Sequence, residues 1–330
     1  MKPWLKQLAF LAACAAFFIA PQLAAPLRNH APGLAVLAGI AFALTIGNPF
    51  AEATGRLVSK LLGIAIVGMG FGMNLASVLH AGANGIMYTF IGIALGLGAG
   101  LWLGRRLGIE RETMFLISVG TSICGGSAIA AAAPVLKAKA HSVALASAIV
   151  FALNAVALLL FPAIGRLLGM SETQFGLWAA LGIHDTSSVV GATMQYGPEA
   201  LEVGATVKLA RALWIVPVTL FLSCVAARRE PGAPRRVRLR VPWFIPCFLA
   251  AAALVTCVPA TARAGAMLRE TAHNLMVATL FLIGANLSRG KLREIGAKPL
   301  LHGIILWLLL ASFWCAAIYS GLVDCADPTP

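Results

Sequence analysis

Charge is scarce in this chain: 11% of its 330 residues are Asp, Glu, Lys or Arg, against about a quarter in a soluble globular protein. A surface facing water cannot be assembled from so few, so lipid has to cover much of the exterior. Acidic residues are rarer still, 12 against 25 Lys and Arg. No stretch is polar enough to fold as a separate soluble domain, so residues 1–330 read as a single integral membrane domain. Seven cysteines are present, but none forms a CxxC pair, which gives neither a zinc site nor a disulfide framework. A GxSxG elbow, an HExxH helix and any other metal-ligand spacing are also missing. The expectation is therefore a protein that is not an enzyme and holds no cofactor and no metal.

What is present is apolar: 60% of the residues are hydrophobic and the mean hydropathy is +0.88. Charged residues and Pro/Gly breaks divide the chain into eleven membrane segments. They are Leu5–Ala20, Gly33–Gly47, Leu57–Leu79, Gly85–Leu103, Thr113–Leu136, Val143–Leu168, Phe175–Thr193, Val203–Ala226, Pro242–Val258, Ala272–Leu287 and Leu300–Leu322. A straight span takes about 20 residues, which most of these supply. Lys2 and Lys6 before the run Leu8–Ala20 resemble a secretory signal. An uncleaved first span is the simpler reading, with cleavage near Ala24–Ala25 left open.

The net charge of +13 sits in short loops, where it marks the cytoplasmic side and meets lipid headgroups rather than nucleic acid. The Arg-rich connection 227–240 is expected inside, with Arg56, Lys60, Arg105, Arg106, Arg111, Arg289, Lys291, Arg293 and Lys298. The N-terminus is then cytoplasmic and Asp324–Pro330 periplasmic. Lys137 and Lys139 fit this frame only if 113–136 dips in and returns as a hairpin. A second hairpin at 175–193, from the opposite face, would preserve every other loop and make an inverted pair. Two crossing, interrupted helices serve equally well at this point. A weak repeat, Gly72-Met73-Asn74-Leu75 against Gly284-Ala285-Asn286-Leu287, places Asn74 and Asn286 at matching helix breaks.

Two segments carry polar groups inside apolar runs. Around Ser122, Cys124, Gly125, Gly126 and Ser127, adjacent glycines weaken the helix. Exposed N–H groups and hydroxyls there can hold an oxyanion; close helix packing through small residues is the plain alternative. Within Phe175–Thr193, His184 and Asp185 precede Thr186, Ser187 and Ser188. A charge at that depth costs a few kcal/mol, so the two must face a cavity, pair or carry protons; Asp185 as a helix N-cap is the alternative. Lys208 and Arg211, three apart on one helix face, lie about 7–8 Å and about 12 Å into a segment starting near Val203. Arg offers a fork for an oxyanion. The plain alternative has Lys208 snorkelling to headgroups and Arg211 paired with Asp185.

At these residues the chain resembles a known family. Cys124-Gly125-Gly126-Ser127-Ala128-Ile129-Ala130 through Ala133-Pro134-Val135-Leu136-Lys137-Ala138, Ile183-His184-Asp185 through Val189-Val190-Gly191-Ala192, and Lys208-Leu209-Ala210-Arg211 are similar to motifs of the YeiH-like sulfate exporter family. Asp185 stands where that family usually has Glu. The family is grouped with the cation/proton antiporter and anion transporter superfamily. The resemblance implies an all-α polytopic transporter with inverted repeats, a core moving against a scaffold, and export of sulfate or a related sulfur oxyanion or sulfonate across the inner membrane. The partners expected are a small anion, a coupling proton or sodium ion, and lipid, with a homo-oligomer left open. A cation-coupled organic-anion importer is the runner-up, followed by an anion channel or a membrane-embedded enzyme.

Overall fold

The computed structural model describes residues 3–23, 31–218, 220–221, 243–286 and 296–323. The Arg-rich connection 227–240, Arg289, Lys291, Arg293, Leu287, the Ala24–Ala25 region and residues 324–330 lie outside the described residues, as do the expectations placed on them. Among the described residues the fold is all-helical, without strands. In order the helices are α1 (Pro3–Leu23), α2 (Ala31–Thr45), α3 (Ala51–Gly70), α4 (Leu75–Arg106), α5 (Arg111–Ser122), α6 (Gly126–Val135) and α7 (Ala140–Leu167). Then come α8 (Glu172–Gly182), α9 (Thr186–Met194), α10 (Pro198–Leu213), α11 (Phe244–Cys257), α12 (Ala262–Ala285) and α13 (Ala297–Tyr319). Among the described residues four stretches are long and apolar enough to cross a membrane: Ala51–Gly70, Gly85–Arg106, Ala140–Leu167 and Ala297–Tyr319.

Several boundaries differ from those read off the apolar runs. Leu57–Leu79 is not one segment: α3 ends at Gly70 and Asn74 starts α4, its side chain accepting the Ala76 N–H at 2.8 Å. Helix α4 then runs through the former gap, 32 residues in all. Helix α10 starts at Pro198, a residue suited to a first helical position, and α12 starts at Ala262 rather than Ala272. Polar first turns hid both starts from a hydropathy reading.

The helices form two groups. In the first, α12 packs on α2 and α3, with α1 and α11 alongside. Gly39 and Gly284 set the closest approach: a Cβ on Gly39 would meet the Ala285 N at 2.9 Å, and one on Gly284 the Ile40 N at 3.0 Å. Phe10, Phe17 and Phe42 close around Phe281 from α1 and α2. The second group holds α4–α10 and α13. It meets the first where α9 touches α2 and α12, where α11 touches α4 and where α7 touches α2.

Within the second group, α5 with α6 and α8 with α9 are hairpins. The Glu112 carboxylate at the start of α5 accepts the Lys139 N–H at 2.8 Å, and Lys139 Nζ donates to Glu110 at 2.7 Å. The outgoing end of the first hairpin therefore lies beside its incoming end. The second hairpin closes the same way. Glu172 accepts the Glu199 and Ala200 N–H groups at 2.8 and 3.4 Å, Thr173 Oγ1 donates to Glu199, and the Tyr196 hydroxyl donates to Met170 O at 2.6 Å. Helix α7, 28 residues and so about 42 Å long, joins the base of one to the base of the other. The hairpins consequently enter from opposite ends of the molecule, and Lys137 and Lys139 sit at the same end as Arg111.

Candidate functional site

The two hairpin tips meet at the centre of the second group. Ile123, Cys124 and Gly125 form the first turn-back, and Ile183, His184 and Asp185 the second. Gly125 has φ +65, and a Cβ there would lie 3.2 Å from the Asp185 Cβ and 3.5 Å from the His184 carbonyl oxygen. A left-handed backbone and this close approach both call for glycine.

Breaking a membrane helix leaves carbonyls without partners at one half's end and N–H groups at the other half's start. The carbonyls are met by cations from α10. Lys208 Nζ donates to the carbonyls of Ile183 at 2.5 Å, Ala180 at 3.3 Å and Ile123 at 3.4 Å. Arg211 Nη2 and Nε reach Ser122 O at 2.6 and 3.0 Å, and Nη2 also Thr121 O at 3.5 Å. Its Nη1 reaches Leu181 O at 2.7 Å and Ala180 O at 3.1 Å. Both side chains are 0% exposed, and among the described residues no carboxylate lies within ion-pair distance of either. The C-terminal ends of α5 and α8, each carrying partial negative charge, thus converge on one pair of positive side chains. From Pro198, Lys208 is about 15 Å into the helix and Arg211 about 20 Å, deeper than a start at Val203 places them. Lys208 does not snorkel and Arg211 does not pair with Asp185; the Arg fork faces peptide carbonyls.

The N-terminal ends are treated differently. Asp185 caps α9, accepting the Ser188 N–H at 2.6 Å, and its second oxygen accepts from Asn154 Nδ2 at 3.0 Å. Asn154 Oδ1 in turn accepts the His184 N–H at 3.0 Å, so one amide from the middle of α7 pins the second tip. Thr186, Ser187 and Ser188 are buried behind this cap. Helix α6 has no side-chain cap, because Gly125 stands at its N-cap position. Gly126 is half-buried and Ser127 exposed there, whereas Cys124 and Ser122 are buried. The ring nitrogens of His184 and the hydroxyls of Thr121, Ser122 and Thr206 are buried without hydrogen-bond partners. An apolar groove lined by Leu97, Leu101, Phe115, Trp214, Pro217 and Phe221 lies elsewhere, against α4. It offers an anion no donor.

Of the residues singled out in the sequence, the two tips and the α10 cations come together. Asn74 and Asn286 do not join them. Asn74 caps α4, and Asn286 ends α12, where its Oδ1 accepts from Thr54 and Asn48 at 2.8 and 2.9 Å. Asn154, Glu112 and Glu172 were not foreseen. Asn154 could have been, as a polar amide amid Val143–Leu168. The glutamates were also signalled: Glu-Thr-x-Phe occurs at Glu112–Phe115 and again at Glu172–Phe175. In that register Ile123 falls on Ile183 and Ser127 on Ser187.

Comparison with known proteins gives the family. The family model described as Conserved hypothetical protein 698 matches residues 6–303. The chain belongs to the UPF0324 family of membrane proteins. This is the YeiH-like family that its motifs resemble. A UPF0324 membrane protein of Bdellovibrio bacteriovorus is 50% identical over 289 residues, covering 88% of this chain and 89% of the relative. Those of Geobacter sulfurreducens and Bacteroides thetaiotaomicron are each 44% identical, over 284 and 290 residues. They cover 86% and 87% of this chain and 89% and 86% of theirs. No solved structure matches the chain. The UPF0324 protein described here is accordingly an all-helical membrane protein.

Proposed function

We propose that this UPF0324 protein is a secondary transporter of the bacterial inner membrane, not an enzyme. It carries a small oxyanion such as sulfate, another sulfur oxyanion or a sulfonate, with a proton as coupling ion. The observation that carries the reading is the meeting of two opposed hairpin tips with their charges unevenly compensated. The carbonyl ends of α5 and α8 hold buried cations, while the N-terminal end of α6 has no cap and adjoins exposed Ser127. An uncapped half-helix N-terminus at mid-membrane favours an anion. Gly126 and Ser127 supply N–H groups and Ser127 a hydroxyl.

Asp185, on the second tip, faces the first: a Cβ on Gly125 would lie 3.2 Å from the Asp185 Cβ. An ionised carboxylate there repels an arriving anion, and a protonated one does not. Asp185 and His184 are the proton-coupling residues of this reading. The opposed hairpins, opened by the same Glu-Thr-x-Phe pattern, fit an inverted repeat about a midplane site. Arg105, Arg106, Arg111 and Lys139 at one base make that base cytoplasmic. The N-terminus is then inside and the C-terminus in the periplasm.

Purified protein in liposomes, tested with labelled sulfate, sulfite, sulfonates and carboxylates, is expected to give saturable flux driven by a pH gradient. In Asp185→Asn the pH dependence should flatten while the protein stays folded. Flux that never saturates and ignores the gradient would indicate a channel. Conversion of substrate in detergent, with no second compartment, would indicate an enzyme.

A further inference from the structure

We propose that Lys208 and Arg211 are positioning residues that act as a tethered substitute for a bound cation. They hold the two hairpin tips together through peptide carbonyls, so the site needs no sodium ion. In transporters built on interrupted helices, unwound carbonyls and half-helix C-terminal ends are where coupling cations are coordinated. Here those atoms are occupied. Lys208 Nζ takes one carbonyl from the first tip (Ile123) and two from the second (Ala180, Ile183). Arg211 spans the same gap, from Thr121 and Ser122 on one side to Ala180 and Leu181 on the other.

Among the described residues neither cation has a carboxylate within ion-pair distance, and this is the informative feature. A buried cation is tolerated only with compensating partners. Six carbonyls from two helix ends provide the partial negative charge that an acidic residue would otherwise bring. Arrangement follows the difference between the two side chains. The compact ammonium sits within a cage of three oxygens, and the planar guanidinium bridges two separate helix ends. Both come from one helix, so α10 carries the registration of each tip against the other. Neither cation has a counterpart in the register that aligns the hairpins, because Ala148 and Phe151 occupy the matching places on α7. One helix therefore serves both hairpins.

The inference rests on the transport reading only for sodium independence; the role in holding the tips is read from stability. Lys208→Ala leaves the carbonyl cage empty. In detergent its melting temperature is expected to fall by about 10 °C. Propylammonium should restore much of the loss, while 1-propanol, of similar size and uncharged, should not. Wild type should respond to neither. Lys208→Met, which fills the volume without charge, should melt as low as Lys208→Ala. Wild-type melting of Lys208→Met, or equal rescue by 1-propanol, would overturn the proposal. If Lys208→Ala does not accumulate, wild type decides it: melting and flux should be the same in sodium and in choline. A sodium-dependent wild type overturns the tethered cation. Stability results as expected with no anion flux would instead remove the transport reading and leave the positioning role standing.

Discussion

Gly125 and Asn154 set the second tip against the first, and each makes a separable prediction. Gly125→Ala puts a side chain at φ +65 and ψ −129, a backbone region used almost only by glycine and costing roughly 1–3 kcal/mol, and presses it on Asp185. A lower melting temperature is expected, with flux reduced further than folding alone explains. Asn154→Ala removes the acceptor of the His184 N–H and one donor to Asp185. Each buried group left unpaired costs about 1–3 kcal/mol, so a thermal melt of this variant should show one of the larger losses for a single polar side chain. If Asn154→Ala melts like wild type, the tip is held by packing instead. The sequence located both tips, because paired glycines and an acid inside apolar runs stand out against lipid. It did not reach the partners of Lys208 and Arg211: two cations on one helix face suggest a cavity, and nothing in residue order says that peptide carbonyls lie opposite.

At the scale of the elements, a hairpin and an interrupted crossing helix have the same apolar run and the same central break. Lys137 and Lys139 fit the charge frame only as part of a hairpin, yet the sequence leaves hairpins and crossing, interrupted helices equally open. What separates the two is contact across 27 residues, Glu112 with Lys139 and Glu172 with Glu199, which hydropathy does not see. Cysteines placed singly at Arg111 and Lys139 should label from one side of the membrane, and cysteines at Ser171 and Glu199 from the other. Labelling of positions 111 and 139 from opposite sides would refute the hairpin. The ion pair at that base is exposed. The Lys139 hydrogen bond and charge hold the Glu110 carboxyl below its ordinary 4.5, and Glu110 raises Lys139 above its ordinary 10.5. The contribution of Glu110 is complete above 4.5 and is lost as pH falls through its lowered value. That of Lys139 is complete below 10.5 and is lost as pH rises through its raised value. Between about pH 5 and 10 the pair should leave no pH dependence in the melt. Glu110→Gln should melt close to wild type, as exposed pairs contribute little.

Over the whole molecule, the group of α1, α2, α3, α11 and α12 meets the hairpin group along a seam of α9 with α2 and α12, α7 with α2, and α4 with α11. Gly33 faces Gln195 there, and Gly191 lies against Leu280. Glycine contacts between α2 and α12 fix the first group backbone to backbone, so relative movement of the two groups would occur at the seam. A reversible cross-link between cysteines at Gly33 and Gln195 is expected to stop flux, and reduction to restore it. Full flux in the cross-linked protein would exclude that motion.

The tethered cations also impose an order on biogenesis. An α10 carrying Lys208 and Arg211 is a poor guest for the bilayer on its own, since a central Lys or Arg costs about 2.5–3.5 kcal/mol on insertion. Its carbonyl partners, at 121–123 and 180–183, leave the ribosome first. Each cation therefore emerges after the oxygens that receive it, and N-to-C synthesis lets α10 dock onto two preformed hairpins instead of waiting exposed to lipid. Rearranged so that α10 comes first, the same helices would lose that sequence of events, and the nascent chain would present two unshielded charges to the membrane.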